Sequence, residues 1–169
     1  MRKSILSNRG ITLMEIMVGV VIIGIVASMA VPRFATAYER MEFNSRNRDI
    51  VSALRMARSR AITEKELYGV YFDPYDIRVV QFRKHDGSGA LNDRYEDGLD
   101  SVLKVDTLTP DMIWLSSSLL NDAAVFSPNG SSSTGGAIFP LAVTEDFVGL
   151  AQISLLASTG RVKTETIIF

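Results

Sequence analysis

Hydrophobic positions fall into three regimes along the chain. From Ile11 to Val31 they are nearly continuous, with Glu15 the one charge. At about twenty-one residues this run matches what a helix needs to cross a hydrocarbon core. From Arg33 to Thr63 there is no glycine or proline, and Ile50, Leu54, Ala57 and Ala61 recur at helical spacing, with Val51 and Ile62 flanking the same face. Arg46, Arg48, Arg55, Arg58 and Arg60 fall on the opposite face, read as a solvated stripe or a contact surface. Together the two regimes predict one helix from about Ile11 to Thr63, roughly 80 Å long at 1.5 Å per residue. Gly19 and Gly24 lie inside it, each costing about 1 kcal/mol of helix propensity relative to alanine. Such glycines commonly allow close helix packing in lipid. Pro32 removes a backbone donor and predicts a kink.

From Leu67 onward the period changes to that of strands. Tyr68–Phe72 and Ile77–Phe82 flank Asp73-Pro74-Tyr75-Asp76, which predicts a hairpin with proline in its turn. Lys84 to Ser101 is polar and glycine-containing, an excursion. Further strands are predicted at Val102–Leu108, Met112–Leu115, Ala123–Ser127, Ala137–Val143, Ala151–Ala157 and Val162–Phe169, the last after a turn at Ser158-Thr159-Gly160-Arg161. The helix must bury its apolar face on this antiparallel sheet, which makes the fold class α+β.

Charge changes the picture only in its distribution. The chain has a formal net charge of −1, yet Ala61–Phe169 is markedly acidic while the helix before it is basic. There is no cysteine, hence no disulfide framework, and the single histidine, His85, leaves little room for a histidine-based metal site or catalytic triad. No phosphate-binding glycine loop and no nucleophile with an evident base is present. Asp86, Asp93, Glu96, Asp97 and Asp100 cluster in the polar excursion, but Gly87 and Gly89 stand where a calcium loop needs ligands. No metal, no cofactor and no enzymatic activity are expected.

Arg2, Lys3 and Arg9 precede the apolar run, which predicts a cytoplasmic N-terminus and export of the remainder. A plain signal anchor fits length and charge but leaves Glu15 unexplained. So does a secretory signal cut after Ser28-Met29-Ala30, which also places Pro32 just after the new N-terminus. A carboxylate in lipid costs roughly 2.5–3.5 kcal/mol on insertion scales and calls for a partner.

The stretch RGITLMEIMVGVVIIGIVASMAVPRF resembles the class III signal of type IV pilins and pseudopilins. In that family a basic leader ends in glycine and a prepilin peptidase cuts after it. The next residue is N-methylated, the fifth mature residue is glutamate, and a proline follows. The resemblance places these features on Gly10, Ile11, Glu15 and Pro32; Ile11 departs from the usual phenylalanine. It implies a leader at 1–10, a transmembrane and filament-core helix at 11–32, an amphipathic helix at 33–66 and a globular β domain at 67–169, with a lollipop outline. It also implies that the Ile11 amine created by cleavage pairs with Glu15 of an incoming subunit, and that Gly24 through Pro32 can lose helicity in a filament.

The C-terminal half narrows the resemblance. Phe126-Ser-Pro-Asn-Gly130 with its Ser/Thr/Gly loop, Gly136-Ala-Ile-Phe139, Ile153-Ser-Leu-Leu, Thr159-Gly-Arg-Val162 and the helix segment VSALRMARSRAITEK are similar to the GspH/FimT group of minor pseudopilins and pilins. Read from the residues alone, the Pro-Asn-Gly and Thr-Gly-Arg segments are turn chemistry. The resemblance implies a minor subunit of a type II secretion pseudopilus or the related type IV pilus, anchored in the bacterial inner membrane with its globular domain in the periplasm. Its partners would be other pilins or pseudopilins, the prepilin peptidase and an inner-membrane assembly platform. The alternative is a pilus subunit that captures DNA through its terminal Gly-Arg hairpin, which here supplies Arg161 and Lys163.

Overall fold

The computed structural model describes residues 11–85, 94–108, 114–144 and 147–168, without the side chains at 29–33, 114, 167 and 168. The chain divides into two compact units, Met1–Tyr38 and Glu39–Phe169. One helix, α1 (Leu13–Glu64), contributes to both. The described part of the first unit consists of the start of α1 and the two residues before it.

The second unit holds the rest of α1 and eight strands: β1 (Tyr68–Asp73), β2 (Arg78–Arg83), β3 (Ser101–Thr107), β4 (Trp114–Ser117), β5 (Ala123–Phe126), β6 (Gly136–Val143), β7 (Val148–Leu156) and β8 (Arg161–Ile168). They form two four-stranded sheets, β3-β2-β1-β5 and β4-β6-β7-β8, antiparallel throughout. The single sheet expected from the pattern is therefore two, a division that hydrophobic alternation does not encode. Of the strand expected at Met112–Leu115, residues 112 and 113 lie outside the described residues, and β4 runs Trp114–Ser117; the strand expected to open at Ala151 opens at Val148.

Both sheets and the helix bury side chains in one core. Ile50, Leu54, Ala57 and Ala61 come from α1, Val70, Phe72 and Val79 from the first sheet, and Ile138, Ala151, Ile153 and Leu155 from the second. The α1 residues follow the 3–4 spacing read from the sequence, and Phe43 continues the stripe two turns earlier. Ala53, Ala57 and Ala61 are buried on this side of the helix. Leu54 is fully buried; truncating such a leucine to alanine costs about 2–5 kcal/mol. Ile62, expected on this face, is 38% exposed because it lies beside the Gly130 turn at the rim of the core.

At the other end of this packing, Phe43 meets the Phe147 ring edge-on at 5.8 Å. Gly149 is required there: a Cβ on it would stand 2.6 Å from the Phe147 ring and 2.9 Å from that of Phe43. Glu39 accepts a hydrogen bond from Thr144 Oγ1 at 2.7 Å.

The predicted β1–β2 hairpin is present with Asp73 paired to Arg78 in register. Asp73 Oδ1 accepts the N–H groups of Tyr75 and Asp76, at 3.0 and 3.2 Å, and its Oδ2 accepts from Arg78 Nε at 3.0 Å. This aspartate builds the turn from within, as Asx turns do. Burial works against its charge. The Asp76 and Tyr75 amides, together with Arg78, outweigh that and hold its carboxyl below the ordinary aspartate value.

Candidate functional site

The start of α1 is the first site singled out by the sequence. Gly10 and the leader around it lie outside the described residues. Ile11 is exposed and precedes the helix. Thr12 is the N-cap: its Oγ1 accepts the Glu15 N–H at 3.2 Å, and its carbonyl accepts Glu15 N–H at 3.1 Å and Ile16 N–H at 3.3 Å. Thr12 and Glu15 thus have the spacing of a capping box. Glu15 is the acid of the first turn, where the exposed amide ends of the helix favour a negative charge. Thr12 was missed as a functional candidate, although the Thr-x-x-Glu spacing in front of an apolar run was there to be read.

Between Glu15 and Ser28 the side chains are apolar on every face of the helix and exposed: Ile16 55%, Met17 61% and Ile23 68%. A helix hydrophobic all round is one built to be covered. Added Cβ atoms on Gly19 and Gly24 would meet nothing within 4 Å. No contact among the described residues therefore asks for glycine at either position. Ser28 Oγ donates back to the Ile25 carbonyl at 2.8 Å, a bond that tends to bend helices. The α1 backbone continues as helix through Pro32. Among the described residues no helix is long and apolar enough to cross a membrane; the described side chains of this run end at Ser28.

The second site lies where two turns meet α1. Arg58, assigned by the sequence to the outward stripe, instead reaches into the β domain, and its Nε donates to the Gly130 carbonyl at 2.9 Å. Gly130 has φ of +84° and closes the Ser127–Ser131 turn, its N–H bonded to the Ser127 carbonyl at 2.8 Å. Gly160 has φ of +60° and donates its N–H to the Leu156 carbonyl at 2.8 Å. A Cβ on Gly160 would stand 2.4 Å from the Gly130 carbonyl oxygen and 3.0 Å from Arg58 Nε. The two turn motifs, far apart in sequence, are packed on each other with one arginine between them.

Arg161 follows directly and is exposed. It shares a surface depression with Arg55, Arg58, Ser59 and Ile62. Lys163 is exposed as well, but it is paired with Glu165 at 2.5 Å, and that lysine holds the Glu165 carboxyl below its ordinary range. Of the two cations expected to act together, one is neutralised by its neighbour on the strand.

The polar excursion is organised around a different pair. Lys84 Nζ lies 3.0 Å from Asp100 Oδ2, with side chains only 3% and 2% exposed, and also donates to the Arg94 carbonyl. Asp100 accepts the His85 and Glu96 amides in addition. Asp100 thus holds the excursion to β2 and has little left to offer a cation. Asp86 and Asp93 lie outside the described residues, and among the described residues no cluster has the makings of a metal site.

A family model described as Type II transport protein GspH matches residues 47–158. A second, described as Prokaryotic N-terminal methylation motif, matches residues 5–31. Two curated proteins from Pseudomonas aeruginosa, each named Fimbrial protein, are 33% identical to the chain over 103 residues. That region covers 59% of this chain and 66% of each relative, so the match spans just under two thirds of the relatives' length. No solved structure matches the chain.

Proposed function

Because the chain belongs to the GspH family, a family of pilin-like and pseudopilin subunits, we propose that it serves as a minor pseudopilin of a type II secretion system, an assembly subunit and not an enzyme. The observation that carries this reading is the start of α1. A capped helix opens at Leu13, its side chains are apolar and exposed on all sides, and Glu15 is its one charge up to Ser28. A soluble domain cannot leave such a surface uncovered; membrane and then neighbouring helices would cover it in turn.

The leader is removed after Gly10 by the prepilin peptidase, and the new amine on Ile11 is methylated with its charge kept. Thr12 fixes where the helix begins, so that the amine and the Glu15 carboxylate sit at defined places on its end. The Ile11 amine of a subunit already in place then receives Glu15 of the next. In a dry environment this pairing would set the register of stacking. Gly19 and Gly24, open within the chain, offer close approach to neighbouring helices, and Pro32 marks a bend. Before assembly the subunit spans the inner membrane once, N-terminus inside and β domain in the periplasm. Its partners are other pseudopilins and the inner-membrane platform.

The mass of the N-terminal peptide of the protein from its native cell tests this. A methylated peptide beginning at Ile11 is expected. A start at Val31, or an intact Met1 in all of the protein, refutes the reading. A type IV pilus subunit that takes up DNA is the second reading. The exposure of Arg161 beside Arg55 and Arg58 favours it; the Lys163–Glu165 pair weakens it.

A further inference from the structure

A groove runs along α1 on the side where β8 lies. Its upper part is walled by Asn47, Arg48, Val51 and Arg55 of the helix and by Thr164 and Thr166 of the strand. Its lower part is the depression of Arg55, Arg58, Ser59 and Arg161. The two parts adjoin at Arg55 and Ser59, which line both. Val162 packs on the core, whereas Thr164 and Thr166, on the same side of the strand, stay exposed. The core is therefore covered only at the beginning of β8, and the groove lies over the rest.

Three properties of this groove point to a ligand. Four arginines line it, none of them in an ion pair among the described residues, and no carboxylate is among the lining residues. Among the described residues β8 ends its sheet and pairs only with β7, so one of its edges has backbone donors and acceptors to offer. Asn47, 3% exposed in the groove wall, has its amide nitrogen and oxygen both buried and without a hydrogen-bond partner among the described residues. An unbonded buried amide costs about 1–3 kcal/mol, so it is a feature that wants a partner.

We propose that this groove is a docking site for an extended, carboxylate-rich peptide segment of another filament subunit. That the partner is a subunit rests on the filament reading; the chemistry of the groove does not. Guanidinium groups match carboxylates with paired N–H donors, and Arg58 is already held in place by Gly130. An extended chain lying along β8 would set acidic side chains against Arg48, Arg55 and Arg161 and small apolar ones against Val51 and Met56. A peptide backbone offers both an N–H and a C=O, the pair that Asn47 lacks. A phosphodiester offers acceptors only and would leave the Asn47 oxygen unmet. A polyanion long enough to leave the groove would also run onto a unit whose β region is acidic. From Asn44 to Ile62 the helix rises about 27 Å, the length of about eight extended residues.

The test uses the full chain in detergent micelles and a labelled, end-capped eight-residue peptide alternating glutamate and valine. A glutamine–valine peptide and a labelled eight-nucleotide oligothymidylate serve as comparisons. At low salt the acidic peptide is expected to bind at least tenfold more tightly than the glutamine peptide. The double variant Arg55→Ala/Arg161→Ala, both positions exposed and outside the core, should erase that difference. Asn47→Leu should weaken both peptides while leaving their ratio unchanged. Equal binding of the two peptides overturns the proposal. So does an oligonucleotide that binds more tightly than the acidic peptide and is lost with Arg161→Ala. A correctly processed Ile11 terminus without peptide binding refutes the groove alone; peptide binding by a chain that is never processed refutes the filament reading alone.

Discussion

Arg58 Nε donates to the carbonyl oxygen of Gly130 across 72 residues of sequence, at 2.9 Å. That bond joins the helix to the first of two glycine turns, and Gly160 closes over it. The junction makes glycine obligatory twice over at 160, once for its positive φ and once for space. Gly160→Ala should destabilise the full chain in micelles by about 2–4 kcal/mol, combining left-handed strain with overpacking against the Gly130 carbonyl. Gly24→Ala, where an added methyl meets nothing, should leave unfolding unchanged or raise helix stability by about 1 kcal/mol. Urea titrations followed by circular dichroism compare the two; equal effects would contradict the junction.

The Lys84–Asp100 pair should behave as a buried pair does. Asp100→Asn leaves a lysine without its counter-charge and is expected to cost about 3–5 kcal/mol. The double change Lys84→Met/Asp100→Leu should recover a large part of that loss, because the desolvation of both charges disappears together. The same titrations on single and double variants check this. A double variant as unstable as the single one would show that the amide bonds of Asp100 to His85 and Glu96 matter more than the charge pair.

Asp73 gives the chain an acid limit. Its carboxyl titrates below the ordinary aspartate value in the folded chain, so the folded state holds its proton less tightly than the unfolded one. The stabilisation is complete above the unfolded pKa of about 3.9 and is lost as the pH falls through the lower folded value. Unfolding free energy should therefore decline below about pH 4. Asp73→Asn should be less stable than the parent at neutral pH and should show a shallower decline in acid. Denaturation midpoints between neutral pH and strong acid measure both; an unchanged acid limb would assign it to other carboxylates.

The sequence by itself determined the long helix, its buried stripe, the β1–β2 hairpin and the order of strands, because each depends on local period and turn chemistry. It also carried the processing motif, whose meaning lies in residue types at fixed spacing: Gly10, Ile11 and Glu15 ahead of an apolar run. Thr12 as the helix cap was legible too, by the same local logic. Only the tertiary structure decided the division into two sheets, since both read as alternation and nothing local says which strands pair. It alone moved Arg58 from the outward stripe to the junction of two turns. A helical wheel gives a direction for a side chain but not what a distant loop has brought there. It alone left Arg161 beside Arg55, because an arginine's surroundings are set by what lies near it in space and not by its neighbours along the chain; the Lys163–Glu165 pair, two residues apart on one strand, follows from the local strand period.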